Sequence, residues 1–161
     1  MAGMTPLPFL LLDVDGVLNP FAAPACPDGY REYPFFPEDD PPVRLCAAHG
    51  PWLRTLSRTF ELAWATGWED EANVFLAPVL KLPALPVVRF PPVPFDPAEK
   101  VPAIDAFTGG RPAAWVDDAH TEAGAAWARS RTAPTLLLPS DPARGLTADM
   151  VTALHTWRTA L

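Results

Sequence analysis

Cysteine, lysine and long apolar runs are all scarce in this chain. Cys26 and Cys46 are its two thiols, and they lack the close spacing of a structural zinc site, which argues against one. Without a secretory leader, two thiols predict a reducing, cytoplasmic setting. Lysine occurs only at Lys81 and Lys100, and the formal net charge is −7. That balance argues against a broad basic face for nonspecific nucleic-acid binding and leaves room only for a local arginine cluster. No uninterrupted apolar stretch approaches the roughly 18 residues a membrane span needs. The start, MAGMTPLPFLLLD, carries no basic residue ahead of an apolar run that Pro6 and Pro8 interrupt. Neither a signal peptide nor a membrane segment is predicted, and the protein is expected to be soluble.

What the chain does have is apolar mass. Hydrophobic residues are 49% of its 161 and charged residues 19%, which predicts one globular domain over 1–161 with a sizeable core. The 22 prolines must then fall mostly in loops.

Short apolar runs alternate with helical patterns, so the expected class is α/β, a Rossmann-like three-layer sandwich around a mostly parallel five-stranded sheet. The strands are expected at 9–14, 61–66, 87–90 (the weakest), 113–116 and 135–138. Helices are expected near 51–59, 69–80, 100–107 and 120–129, with a last one starting at the N-cap Thr147 and carrying Val151, Leu154, Trp157 and Leu161 at helical spacing. Between Asn19 and Pro42 the chain is too proline-rich for a long helix and too aromatic for a plain spacer. It is expected to form an ordered flap beside the first strand. The segment LPALPVVRFPPVPFDP, Leu82 to Pro97, reads as loop, short strand, loop.

In an open parallel sheet, functional groups collect beyond the carboxyl ends of the strands. Asp13 and Asp15 end the first expected strand in PFLLLDVDGVLNPF, Thr66 and Gly67 end the second, and Asp117 and Asp118 end the fourth in AAWVDDAH. Lys100 begins the helix before that fourth strand. Two carboxylates held close repel, so Asp13 and Asp15 together ask for a cation or a shared proton. Taken singly, each signal has a plain structural reading: a solvated acidic turn, an aspartate capping the next helix, a strand-ending turn, a surface lysine. Their joint order is what points to chemistry.

That ordered set, "DVDGVLN", "ATGWE", "EK" and "VDD", resembles the haloacid dehalogenase-like (HAD) hydrolase superfamily over nearly the whole chain. More narrowly, "DVDGVLNP", "WATGWEDEAN" and "WVDD" are similar to the small capless branch related to the phosphatase-like domain of Swiss Army Knife RNA repair proteins. The resemblance implies a magnesium-dependent phosphohydrolase. Asp13 would be the nucleophile forming an aspartyl-phosphate, and Asp15 would protonate the leaving oxygen and later help activate water. Mg2+ would be held by the side chains of Asp13 and Asp117, the backbone carbonyl of Asp15, and Asp118 through water. Thr66 and the Gly67 N–H would hold the phosphoryl group, and Lys100 would offset its charge. Lys81 competes for that last role but lies before the third expected strand, out of the family's order.

The flap is too short and too proline-rich for the helical cap many members of that family carry, and by that resemblance an open, capless site favours a bulky phosphorylated substrate, a polynucleotide end, or a partner that closes the site. The alternative from another class is a phosphate- or metal-binding module that has lost turnover. A response-regulator receiver domain shares these residue types but carries its phosphoacceptor on the third strand, and PVVRF ends without an aspartate. His49, His120 and His155 have no ligand partners at metal spacing and read as structural or exposed. Trp52, Trp64, Trp115 and Trp127 read as packing, whereas Trp68, just past Gly67, is placed to line a substrate entrance. In the flap, Tyr30, Tyr33, Phe35 and Phe36 either pack it down or stack on a substrate base or sugar.

Overall fold

Phe9–Leu12, the strand β1, is buried along its whole length. Successive strand side chains point to opposite faces, so such a run needs cover on both sides. The computed structural model, which describes residues 3, 5–38 and 41–161, supplies that cover. Strand β1 lies between β4 (Glu61–Trp64) and β5 (Ala113–Asp117), and β6 (Thr135–Pro139) flanks β5, giving the order β4-β1-β5-β6 with every pairing parallel. Leu10 and Leu12 pack into one core with Trp64, Ala114 and Val116, against Leu53 and Leu56 of α1 (His49–Leu56), Leu80 of α2 (Ala77–Leu80) and Leu154 of α5 (Ala148–Thr159). Phe9 and Leu11 face the other way, toward Ile104 of α3 (Lys100–Thr108) and Trp127 of α4 (Glu122–Ser130). Helix, sheet and helix form three layers, and emptying one of these positions, as in Leu12→Ala, would cost about 2–5 kcal/mol.

The central sheet has four strands, not the five expected. Val87 makes only an isolated parallel bridge to Trp64, through Trp64 N–H to Pro86 O and Val88 N–H to Trp64 O, each 2.9 Å. Pro83, Pro86, Pro91 and Pro92 crowd that segment, and proline cannot donate to a ladder, so the pairing stops after one bridge. The helix expected over 69–80 is also divided. Ala72–Leu76 forms a π-helical turn running into α2. Pro78 has no N–H to return to the carbonyl four residues back, which favours the wider turn.

The segment after β1 is ordered as an antiparallel ribbon, β2 (Tyr30–Tyr33) with β3 (Val43–Cys46). Asp39 and Asp40, within the expected flap, lie outside the described residues. The last helix begins at Thr147, whose side chain accepts from Met150 N–H. Leu154 is its buried contact, Trp157 stacks on Phe60 at 6.1 Å, and Leu161 is beyond the helix and exposed. Among the described residues, no helix is long and apolar enough to cross a membrane.

Candidate active site

Register brings the acidic residues together. Leu12 is paired with Val116 on one side and with Trp64 on the other, so the residues that follow them, Asp13, Asp117 and Ala65–Thr66, emerge at the same edge of the sheet. Asp13 N–H donates to Val116 O at 3.1 Å, and Val14 N–H donates to the Asp13 carboxylate at 2.8 Å. Lys100 arrives from the next layer. A capping box precedes it, in which Asp96 accepts from Ala98 N–H and Glu99 accepts from Asp96 N–H; this starts the helical turn that points α3 at the strand ends. The Lys100 ammonium lies 2.7 Å from Asp117 Oδ2 and 3.2 Å from Asp13 Oδ2, and also donates to Ala65 O. Lys81, the competing lysine, ends α2 in a left-handed conformation and is exposed.

All three members of this ion cluster are buried: Asp13 is 7%, Lys100 7% and Asp117 1% exposed. Burial pushes the Asp13 carboxyl up to about 7, with Lys100 pulling it down and Asp117 pushing it further up. Asp118 is raised to about 6, by burial first and then by the negative charge of Asp117. Burial disfavours the Lys100 ammonium, yet the two aspartates more than compensate and its pKa is raised. Asp13, Asp117 and Asp118 each offer a carboxylate oxygen within 4.8 Å of the others. With all three ionised, one lysine leaves two negative charges uncompensated. Hard oxygen donors carrying that excess suit a divalent metal ion, and the cluster could hold one.

Asp15 stands outside the cluster, exposed, with both oxygens engaged: Asn19 Nδ2 donates to Oδ1 at 2.9 Å and the Trp68 indole N–H to Oδ2 at 3.1 Å. The turn between them is tight. Gly16 has φ +85°, and a Cβ there would lie 2.3 Å from the Asp118 side chain, so glycine lets the acidic loop and the end of β5 approach. Ser140, after β6, donates its hydroxyl to Gly16 O, and its N–H donates to Asp117 O. The capping reading of the aspartate pair is only partly met. Asp117 Oδ1 accepts from Ala119 N–H, but the N-cap of α4 is Thr121.

Thr66 is buried and accepts from Trp68 N–H at 3.2 Å; Gly67 is exposed, with Val93 and Phe95 lying over it. These residues, with Asp13, Asp15, Lys100 and Asp118, line a cleft of about 700 Å³. Every one of the expected site residues except the fully buried Asp117 faces it, and Asp117 lies beneath, on Lys100.

Trp68 lines the cleft, as its position past Gly67 suggested. Trp64 and Trp115 are fully buried, and Trp52 and Trp127 pack at the edges of the core. His49 is buried and bonded through Nε2 to Leu146 O, while His120 lies edge-on to Trp115. Of the four flap rings, Phe36 alone lines the cleft; Tyr33 stacks on Phe35, and Tyr30 meets His49 and donates to Arg144 O.

Sequence reasoning missed Asn19 and Ser140, the polar residues that brace the acidic loop. Asn19 gave a faint signal, a polar residue four positions after Asp15 just past Gly16; the structure buries it and bonds it to Asp15. Ser140 gave none, because its partner lies across the sheet. No family model, no curated protein and no solved structure matches the chain.

Proposed function

We propose that this chain is a magnesium-dependent phosphohydrolase of the capless HAD type, acting on phosphomonoesters through an aspartyl-phosphate on Asp13. The observation that carries the proposal is Lys100 held between Asp13 and Asp117, with Asp118 completing a metal-sized cluster, at the base of an open cleft. A packing salt bridge needs one carboxylate for one lysine. Here two carboxylates hold one ammonium and a third lies within 4.8 Å of both, an excess of negative charge that fits a cation-binding site.

Asp13, Asp117 and Asp118 would hold the ion, with the Asp15 carbonyl as the further ligand the resemblance implies. When bound, magnesium supplies neutralisation of the acidic cluster and of the phosphoryl oxygens. The Asp13 carboxylate attacks phosphorus and forms the O–P bond, while the bond to the ester oxygen breaks and its electron pair leaves with that oxygen. Asp15 gives the departing oxygen a proton. Water then attacks the same phosphorus, its proton passes to Asp15, and phosphate leaves with Asp13 regenerated. Thr66 and the Gly67 N–H orient the phosphoryl oxygens, and Lys100 offsets charge on Asp13 and phosphate together.

A short ribbon in place of a cap would leave the cleft open to a bulky leaving group. A phosphate- or metal-binding module without turnover is the competing reading, and one experiment separates them. Phosphate release from p-nitrophenyl phosphate with magnesium should be measurable and should disappear in Asp13→Asn. Binding of phosphate without any turnover would leave the binding module standing.

A further inference from the structure

Charge and apolar surface are unequally distributed around the cleft. Among the described residues that line it, Lys100 is the one cation, and it is buried at the base beside Asp13 and Asp117, within reach of one phosphoryl group only. No arginine is among them. Glu71, exposed on the wall, adds negative charge beyond the reacting centre. A polyanion whose neighbouring phosphates also had to be held would meet repulsion there rather than the lysines and arginines that such binding requires.

The rings, by contrast, gather where a leaving group would lie. Asp15 protonates the leaving oxygen in the proposed reaction, so the rest of the alcohol lies beside Asp15 and therefore beside Trp68, whose indole is bonded to it. Phe36 stands edge-on to Trp68 at 5.4 Å and is braced from behind by Phe75 at 5.2 Å, which in turn meets Phe35 at 5.2 Å. Braced rings stay put and need little ordering when a ligand arrives. Phe21 and Val93, 53% and 67% exposed, are large apolar side chains left open to water, and both line this cleft. Phe95 completes the rim, tilted against Phe90 at 5.5 Å.

Resting on the phosphohydrolase reading, we infer that the substrate is a phosphomonoester of an uncharged aromatic alcohol, its ring packed against Trp68 and Phe36, and not a polyanion bearing further phosphates. Lys100 serves the single phosphoryl group, and the rest of the ligand is recognised by apolar and stacking contact.

The test compares 2-naphthyl phosphate, glycerol phosphate and a 5′-phosphorylated oligothymidylate with magnesium, by turnover on the wild type and by calorimetric binding to Asp13→Asn. The naphthyl ester should bind and turn over at least about tenfold better than either of the others, the size expected of one stacked ring. Phe36→Ala should erase about that factor for the naphthyl ester and reduce glycerol phosphate much less. Phe36→Leu, which keeps the packing volume, should fall between and serves if the alanine variant does not fold. Equal turnover of all three esters, preference for the oligonucleotide, or a uniform loss in the Phe36 variants would overturn the inference while leaving the phosphohydrolase intact. Tight naphthyl binding with no turnover of any ester would overturn the phosphohydrolase reading and, with it, the substrate, leaving a site that binds aryl phosphates without hydrolysing them.

Discussion

At Asp13, burial and chemistry pull in opposite directions. A nucleophile must be a carboxylate, yet burial holds this one up at about 7 in the absence of metal. Asp13→Asn should therefore abolish turnover and leave thermal stability equal or higher without metal, since it removes one of several crowded carboxylates and Lys100 keeps Asp117 at 2.7 Å. Retained activity would remove Asp13 from the nucleophile role. The same shift sets a pH dependence. Between its ordinary value and about 7, the folded protein keeps a proton on Asp13 that the unfolded chain releases. The stability this contributes is complete below that ordinary value and lost as pH rises toward about 7. His49 acts in the opposite sense: burial lowers its pKa, so stability falls as pH drops below the ordinary histidine range. Subtracting the wild-type melting temperature from that of Asp13→Asn cancels His49. The difference should climb from the ordinary aspartate range to about pH 7 in metal-free buffer and level off above it, and a flat difference would contradict the Asp13 shift. Gly16→Ala tests the approach of the two acidic segments. Its side chain would need the space of the Asp118 carboxylate and a strained φ, so it should lower stability by more than 1 kcal/mol and remove the thermal response to metal.

Elements were legible in the sequence to different depths, and the reasons are physical. Runs buried on both faces, such as FLLL and AAWV, leave an unbroken apolar signature, and their carboxyl ends carried Asp13 and Asp117 to the place where a parallel sheet collects its chemistry. VVRF is a shorter run, interrupted by Arg89, and prolines on both sides withhold the donors that a ladder needs, so its β-branched composition overstated it. Pairings between distant segments were hidden for a different reason: Trp68 on Asp15, or Ser140 on Gly16, depends on register, which local pattern does not encode. Thr147 was readable because a cap is local, and the Asp96–Glu99 box is a signal of the same local kind. The box also makes a prediction at this scale. Asp96→Ala should destabilise the protein by about 1 kcal/mol and lower turnover much less than Lys100→Ala does. A loss as large as that of Lys100→Ala would mean that the cap holds the lysine in place and not merely the helix.

At the scale of the molecule, metal and fold are linked. An ion that binds only the folded cluster raises the melting temperature by mass action, so millimolar magnesium should stabilise the wild type, and Asp117→Ala should blunt the shift. Unchanged melting in both would refute the cluster as a metal site. The parallel order β4-β1-β5-β6 also bears on how the chain is made. Synthesis delivers β1 before its second neighbour, β5, which emerges from the ribosome only after residue 112. Throughout that interval Phe9–Leu12 offers an unpaired apolar edge, open to the same strand of another nascent chain. Chains halted before Ala113 should therefore associate with one another, and the aspartates of the site should come into register only as Ala113–Asp117 joins the sheet.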